Sequence, residues 1–204
     1  GDQFGENVRF NSTGDRVVIS SSRNSAAGNN AGHVKVFEWD GVDWQQLGSD
    51  INGAFAEDRS GSSIAINGTG DRIIVGSPRS DANGNNSGQV RIYEWDGSNW
   101  TAMGSPINGR NADDWFGSIV DMGFSGFQIA VATNDLSSPR QDYLQVYRWN
   151  GTDWVQHGDD IVTVPSGDLS AVKLSGDRVM YNGSLGADGV AVLDWNGSRW
   201  EQVG

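Results

Sequence analysis

Eight of the nine tryptophans fall in four pairs, and each pair brackets an Asp-Gly or Asn-Gly dipeptide. The shared pattern is W-[DN]-G-x-x-W-x-x-x-G, which puts two rings on either side of a tight turn. Exposed tryptophan faces stack on sugar rings, so the pattern predicts one candidate chemistry, a ligand-binding platform for carbohydrate. The candidate residues are Trp39, Trp44, Trp95, Trp100, Trp149, Trp154, Trp195 and Trp200.

A structural role explains the same tryptophans. Two aromatic side chains that face each other across a hairpin stabilise it by about 0.5–1.5 kcal/mol beyond burial. A sugar site would also need polar partners that recur, yet charge is not kept at the residue before the first tryptophan, which is Glu38, Glu94, Arg148 or Asp194. We therefore favour the structural interpretation and keep a carbohydrate-binding lectin as the alternative.

A second candidate chemistry is calcium binding. In the stretch SDANGNNSG, the residues Asp81, Asn83 and Asn85 alternate as the oxygen ligands of a calcium loop do. The equivalent segments 24–32 and 134–142 do not keep this alternation, so a solvated Asn/Gly turn is the favoured interpretation. We expect no other cofactor.

An aspartate recurs near the start of each repeat, and these four carboxylates are candidates to line a channel and bind cations. An aspartate that enters a strand more often accepts hydrogen bonds from nearby backbone N–H groups and so fixes a turn. We favour that turn role. The four residues are Asp2, Asp58, Asp114 and Asp168.

Nothing in the sequence points to catalysis. Histidine occurs only at His33 and His157, at positions that are not equivalent in the repeats, and no pattern indicates a Ser-His-Asp arrangement. The sequence therefore predicts that the protein is not an enzyme, with a glycan-processing propeller enzyme as a further alternative.

Seven N-x-[ST] sequons are candidate glycosylation sites. Four of them are Asn-Gly-[ST], and hairpin turns select Asn-Gly for their own geometry. Turn chemistry therefore explains many of them. The sequons begin at Asn11, Asn67, Asn85, Asn99, Asn150, Asn182 and Asn196.

The elements that position these residues repeat four times. The first tryptophans of the pairs lie at Trp39, Trp95, Trp149 and Trp195, which are 56, 54 and 46 residues apart. Each repeat contains four short runs rich in β-branched and aromatic residues, separated by Gly/Asn/Asp turns. Four strands in a unit of this length predict an all-β fold, a β-propeller with four-stranded antiparallel blades, against a β-sandwich or a β-solenoid. We place one domain at 1–204, with blades at about 1–53, 54–109, 110–163 and 164–204.

Composition excludes several classes of function. The formal charge of −12 would repel a nucleic-acid backbone, so no nucleic-acid partner is expected. The absence of cysteine excludes disulfides and thiolate metal sites. No apolar run approaches the roughly 20 residues of a membrane span.

Three short motifs resemble FG-GAP repeats, the blades of integrin α-chain propellers. They are FGENV at Phe4–Val8, FGSIV at Phe116–Val120 and IIVGSP at Ile73–Pro78, where the family has V-G-A-P. The resemblance implies a propeller and a location outside the cell or on its surface. The calcium loop of the family, D-x-D-x-D-G-x-x-D between the first two strands, does not carry over, because the corresponding loops 11–15 and 67–71 lack alternating carboxylates.

The resemblance also raises the question of blade number, since FG-GAP propellers usually have more than four. Four blades form either a compact ring in a monomer, or an excised or self-associating part of a larger propeller. A stable dimer would suggest eight blades shared by two chains. We predict a non-enzymatic extracellular module for adhesion, surface assembly or ligand binding. Its partner would be a protein or a glycan at a surface.

Overall fold

The computed structural model describes residues 2–134, 142–162, 169–182 and 189–203. Every regular element in these residues is a β-strand, and the strands form four antiparallel sheets. Runs such as Ile73–Val75 form strands because β-branched side chains suit a pleated surface with neighbours on both faces. The all-β propeller prediction, with four blades in this chain, is confirmed.

The strand bounds show how closely the blades repeat. Blade 1 contains β1 (Asn7–Phe10), β2 (Arg16–Ser21), β3 (His33–Trp39), β4 (Trp44–Gln46) and β5 (Ile51–Asn52). Blade 2 contains β6 (Ser63–Ile66), β7 (Arg72–Ser77), β8 (Gln89–Trp95), β9 (Trp100–Ala102) and β10 (Ile107–Asn108). Blade 3 contains β11 (Ile119–Met122), β12 (Gln128–Ala132), β13 (Tyr143–Trp149), β14 (Trp154–Gln156) and β15 (Ile161–Val162). Blade 4 contains β16 (Ala171–Ser175), β17 (Arg178–Asn182), β18 (Val190–Trp195) and β19 (Trp200–Gln202).

The outer strand of each of the first three blades is broken into two pieces. Both β4 and β5 pair with β3, and residues 47–50, which include Gly48, lie in the break between them. Gly48 has a φ of +76°, and a Cβ there would lie 2.8 Å from the ring of Trp95 in the next blade. The break therefore opens the outer strand where a tryptophan of the following blade needs room.

Each blade packs on the next through two different faces. We call the face that meets the preceding blade the upstream face and the opposite one the downstream face. Val18, Val34 and Val36 on the downstream face of blade 1 share a buried cluster with Ile64 and Ile73 on the upstream face of blade 2. Corresponding clusters join blade 2 to blade 3 and blade 3 to blade 4.

The four blades form an open arc. The inner strands pack in sequence, β1 beside β6, β6 beside β11 and β11 beside β16. No comparable packing joins β16 to β1, and within the described residues no core cluster links blade 4 to blade 1. The structure therefore does not form the compact closed ring of four blades.

Candidate functional site

The paired tryptophans lie directly opposite each other across the outer hairpins. Trp39 pairs with Trp44 in the strand register, and the three other pairs repeat this arrangement. The ring centroids are 5.5–5.6 Å apart in all four blades. This is the spacing of favourable aromatic pairs, so each pair stabilises its own hairpin.

The second tryptophan of blades 2, 3 and 4 also fastens its blade to the preceding one. The indole N–H of Trp100 donates to the carbonyl of Leu47 at 2.9 Å. Trp154 donates in the same way to Met103 at 2.8 Å, and Trp200 donates to His157 at 2.9 Å. The sequence had no signal for this inter-blade bond, because the acceptor is a backbone carbonyl that carries no residue identity.

The blade 1 pair differs because no other blade packs against it in the described residues. Trp44 is 37% exposed, whereas Trp100 and Trp154 at the same position are 7% and 8% exposed. Trp39 is 41% exposed, and the indole N–H of Trp44 has no hydrogen-bond acceptor in the described part of the chain. Of the eight candidate tryptophans, these two present the most open surface to a ligand.

The exposed Trp44 is part of a wider apolar surface on the upstream face of blade 1, which we call the blade 1 end face. It contains a shallow cavity of about 310 Å³. Phe10 and Phe4 are 56% and 51% exposed, and Val8 is 40% exposed. Aromatic rings contact one another across it, Phe10 with Trp44 at 6.0 Å and Phe4 with Phe37 at 6.5 Å between centroids. The cavity is lined by Phe4, Val8, Phe10, Val17, Ile19, Phe37 and Trp44.

Sequence reasoning missed this face, although two phenylalanines signalled it. Phe4 stands in the same Phe-Gly motif as Phe116, which is fully buried and stacks with Tyr143 at 6.2 Å. The backbone of Phe116 bridges that of Gly88 in the preceding blade, so the neighbour covers it. The exposure of Phe4 follows from its place in the arc and not from its motif.

Two of the four recurring aspartates have the favoured turn role. Asp58 is 5% exposed, and its carboxylate accepts the backbone N–H of Phe55 at 3.1 Å. Burial raises the pKa of Asp58. Asp114 accepts the backbone N–H groups of Arg110 and Asn111 and the hydroxyl of Tyr143 at 2.8 Å.

Asp2 is exposed, and Asp168 lies outside the described residues. Burial and the hydrogen bond to Asp114 raise the pKa of Tyr143 above its usual value, so this phenol stays neutral. The pair of Asp114 and Tyr143 therefore holds the start of blade 3 in place.

The three calcium candidates point at different partners. Asp81 accepts the backbone N–H of Asn86 at 2.8 Å, and the amide nitrogen of Asn83 donates to the carbonyls of Gly109 and Arg110. Asn85 donates to the carboxylate of Asp113 at 3.2 Å. In the described ranges no group of three or more acidic or histidine side chains is placed to hold a metal ion. The calcium site stays a prediction.

The two histidines lie in blades 1 and 3 and serve packing. The ring of His157 stacks on Trp195 with centroids 4.0 Å apart, and the ring of His33 meets Phe4 edge-on at 5.9 Å. Burial lowers the pKa of both histidines. The Nε2 atom of each is buried without a hydrogen-bond partner, so neither is held for proton transfer in this structure.

The sequons divide by accessibility. Asn11 and Asn67 are 7% and 1% exposed, and their amide nitrogens donate to Asp15 and Asp71 within the turn at 2.7 Å. These two asparagines are therefore buried in the folded structure, and glycosylation at any sequon stays a prediction. Asn182 is half-buried, while four sequons keep exposed asparagines, at Asn85, Asn99, Asn150 and Asn196.

No helix in the described ranges has the length and hydrophobicity to cross a membrane.

Comparisons with known proteins identify the repeat. Residues 52–93, which span most of blade 2, match the sequence model of the FG-GAP repeat. No curated protein sequence matches the chain.

Solved structures share the fold at low sequence identity. A hypothetical selenium-binding protein from Sulfolobus tokodaii aligns with 100% of this chain and 55% of its own at 11% identity, with a TM-score of 0.66. The β-propeller domain of Cps50 (Swd1) from Myceliophteria thermophila aligns with 97% of this chain and 55% of its own at 13% identity and a TM-score of 0.56. The β-propeller domain of the Trilobed protease from Pyrococcus furiosus aligns with 97% and 57% at 9% identity and a TM-score of 0.55.

The chain thus spans a little more than half the length of each of these propellers. The motifs, the family match and the four blades agree with one another. Residues 52–93 thus match an FG-GAP repeat, and the described residues of the chain have the β-propeller fold.

Proposed function

We propose that this chain is a non-enzymatic propeller module that acts outside the cell or on its surface, in adhesion or surface assembly, by binding a protein through the blade 1 end face. The FG-GAP match supports the extracellular location. One observation carries the proposed binding mode. The cavity of the end face is lined by aliphatic and aromatic side chains.

That lining favours a protein partner over a sugar. A carbohydrate needs hydrogen-bonding groups around the stacking ring to orient its hydroxyl groups, and small-molecule sites place a few polar groups for this purpose. Contiguous exposed apolar surface of this kind marks protein interaction sites. Phe4, Phe10 and Trp44 supply the aromatic anchors that protein interfaces prefer.

The lectin is the second candidate, because Trp39 and Trp44 are both exposed. A glycan array separates the two functions. We expect the immobilised chain to bind no sugar class, and incubation with polysaccharides to release no product. Sugar binding that Trp44→Ala abolishes would replace the protein-binding proposal with the lectin. Val42→Ala is the matched control, since Val42 is 85% exposed in the same hairpin and does not line the cavity.

A further inference from the structure

Three arginines at one end of the blades have no acidic partner, although the chain holds 26 acidic residues against 14 basic ones. Eight lysine and arginine side chains form ion pairs in the described residues, as Arg16 does with Glu38. No carboxylate in the same part of the chain lies within ion-pair distance of Arg23, Arg59 or Arg79, which we call the arginine cluster. The cluster is therefore a candidate site for a negatively charged ligand.

The strand order brings the arginine cluster to the inner edge of the arc. Arg23 and Arg79 hold the third position of equivalent turns after β2 and β7, and in each turn the N–H of the next residue donates to the carbonyl three positions before it at 3.1 Å. Arg59 precedes β6, whose first residue, Ser63, lies opposite Gly76 near the end of β7. Since β6 packs beside β1 and β11, all three arginines lie where the inner strands of neighbouring blades meet.

A tryptophan of blade 3 holds one arginine of the cluster in place. The guanidinium carbon of Arg79 lies 5.0 Å from the ring centroid of Trp115, a cation–π contact. Trp115 has in blade 3 the position that Arg59 has in blade 2. Their φ angles are +51° and +53°, and their backbone N–H groups donate at 3.1 Å to Asn86 and Asn30 of the preceding blades. The repeated backbone therefore places the arginines and the ring at one edge.

Three N–H groups in this place are buried without an acceptor. They are Nε of Arg59, Nε of Arg79 and Nε1 of Trp115, and none of them has a hydrogen-bond partner in the described part of the chain. Guanidinium and indole nitrogens donate and do not accept, so these groups need acceptors. An anion supplies acceptors only, and it also offsets the charge of the arginines.

The charges around Arg59 favour an anion as well. Burial lowers the pKa of Arg59, and the positive charges of Arg79 and Arg23 lower it further. The nearby carboxylates of Glu57 and Glu6 raise it. Both carboxylates already accept hydrogen bonds from other groups, from asparagine amides and from a serine in the turn after β2. A bound anion would relieve the repulsion between the guanidinium groups that these carboxylates leave.

We propose that Arg23, Arg59 and Arg79 form a binding site for one doubly charged tetrahedral oxyanion, a free sulfate or phosphate ion or a phosphate monoester. The planar fork of a guanidinium group matches two oxygens of such an ion, and a double negative charge offsets three arginines better than a single carboxylate does. The formal charge of −12 repels a polyanion, so the ligand carries one such group.

The site is separate from the proposed function. None of its arginines lines the cavity of the blade 1 end face, and Trp115 does not line it either. Failure of the oxyanion site therefore leaves the protein-binding proposal as it stands, and the reverse also holds.

Isothermal titration calorimetry at constant ionic strength tests the site. Sulfate stabilises folded proteins by exclusion from their surface, so a thermal midpoint alone does not report binding. We expect one sulfate or one phosphate to bind per chain, and acetate to bind at least about 10-fold more weakly. Glycerol 2-phosphate separates the two sources of the group. Binding equal to that of phosphate indicates a monoester ligand, and loss of binding indicates the free ion.

Charge variants assign the binding to the cluster. We expect Arg59→Gln and Arg79→Gln each to weaken sulfate binding at least about 10-fold, because each removes charged hydrogen bonds. Arg23→Gln weakens it by a smaller factor, since Arg23 is exposed and its loss leaves the fold intact. Arg199→Gln is the matched control and binds like the wild type, because it removes the same charge from an exposed ion pair in blade 4.

Trp115→Phe tests the indole donor, since it keeps an aromatic ring beside Arg79 and removes the N–H group. We expect weaker sulfate binding with a circular dichroism spectrum equal to that of the wild type. The proposal is overturned if neither sulfate nor phosphate gives a heat of binding with the wild type, if Arg199→Gln loses as much affinity as Arg59→Gln, or if acetate binds as tightly as sulfate.

Discussion

Blade 1 and blade 3 carry the same hairpin and the same Phe-Gly motif, yet their aromatic residues have different surroundings. Phe116 and Trp154 of blade 3 are 0% and 8% exposed, whereas Phe4 and Trp44 of blade 1 are 51% and 37% exposed. The Trp pair geometry is nearly the same, with centroids 5.5 Å apart in blade 3 and 5.6 Å in blade 1.

The difference shows that a repeat sequence sets the local hairpin but not its exposure. In a stacked repeat fold each unit contacts only its neighbours, so the terminal unit shows the surface that the others bury. A motif that is structural in blades 2 to 4 thereby becomes a candidate binding surface in blade 1. The following predictions test this comparison from the largest expected effect to the smallest.

The largest expected difference is in the free energy of unfolding, between a tryptophan that is hydrogen-bonded to the preceding blade and one that is exposed. We expect Trp154→Ala to lower the free energy of unfolding by about 3–5 kcal/mol, because it removes a buried ring and leaves a cavity. Trp44→Ala lowers it by less than about 1 kcal/mol, because no blade covers that side chain. Urea unfolding followed by circular dichroism measures both, and equal losses would show that the two blades do not differ energetically.

Glycines test the close approach between blades. Gly104 has a φ of +80°, and a Cβ there would lie 2.7 Å from the ring of Trp149, whereas Gly97 has a φ of +99° and open space around it. Both alanine variants suffer the positive-φ penalty of about 1–2 kcal/mol. Gly104→Ala adds overpacking of about 1–3 kcal/mol, so its urea midpoint falls further. Similar midpoints for the two variants would mean that the rings move apart without cost.

Two equivalent arginines allow the stability of blade 4 to be compared with that of an interior blade. Arg72 donates to the carbonyl of Ser125 in the next blade, and its guanidinium lies 4.3 Å from the ring centroid of Phe127. We expect Arg72→Ala to lower the free energy of unfolding by about 1.5–3 kcal/mol. Arg178→Ala changes it by about 0–1 kcal/mol, since its ion pair is exposed. Thermal unfolding of the two variants checks this, and a larger loss for Arg178→Ala would contradict it.

The smallest expected effect is the part of the pH dependence that comes from the turn carboxylates of two hairpins. Backbone N–H groups of Asp43 and Val42 lower the pKa of Asp40, and those of Asn99 and Ser98 lower the pKa of Asp96. Blades 3 and 4 have Asn150 and Asn196 in the same turn position, and their side-chain oxygens accept the equivalent N–H groups without titrating.

The sign follows from these lowered pKa values. The folded carboxylates stay charged where the unfolded ones, with a pKa near 3.8, already take up protons. Their stabilisation is therefore complete above pH 3.8 and is lost as the pH falls through the folded pKa. We expect the thermal midpoint of the wild type to fall more steeply below pH 3.8 than that of the double variant Asp40→Asn with Asp96→Asn. If the thermal midpoints of the two proteins fell in parallel with pH, other carboxylates would be responsible for acid unfolding.

Much of the fold was predictable because the repeat is written in local chemistry. The continuous β-branched runs around Val17 and Ile73 and the Asp-Gly and Asn-Gly turns predicted strands and hairpins, and their fourfold recurrence predicted blades. The structural role of the tryptophan pairs follows from the turn between them. The break in the outer strand around Gly48 was not predicted. It makes room for a tryptophan side chain of the next blade, and the local sequence does not show that contact.

The candidate site was less predictable. All eight paired tryptophans were equal candidates in the sequence. Their exposure depends on whether another blade covers them, and the sequence pattern around each pair does not show this. Phe4 and Phe10 were absent from the candidates, because as isolated residues they match ordinary core positions such as Phe116 and Met122.

The sequence by itself determined the strands, the turns and the repeated blade of this protein, because hydrogen-bonded hairpins and aromatic pairs depend on residues a few positions apart. The tertiary structure alone decided which tryptophans are hydrogen-bonded to the preceding blade, which asparagines of the sequons are buried, and that the arc is open. Those properties depend on contacts between blades roughly 50 residues apart in the chain, and burial is a property of the neighbour as much as of the residue.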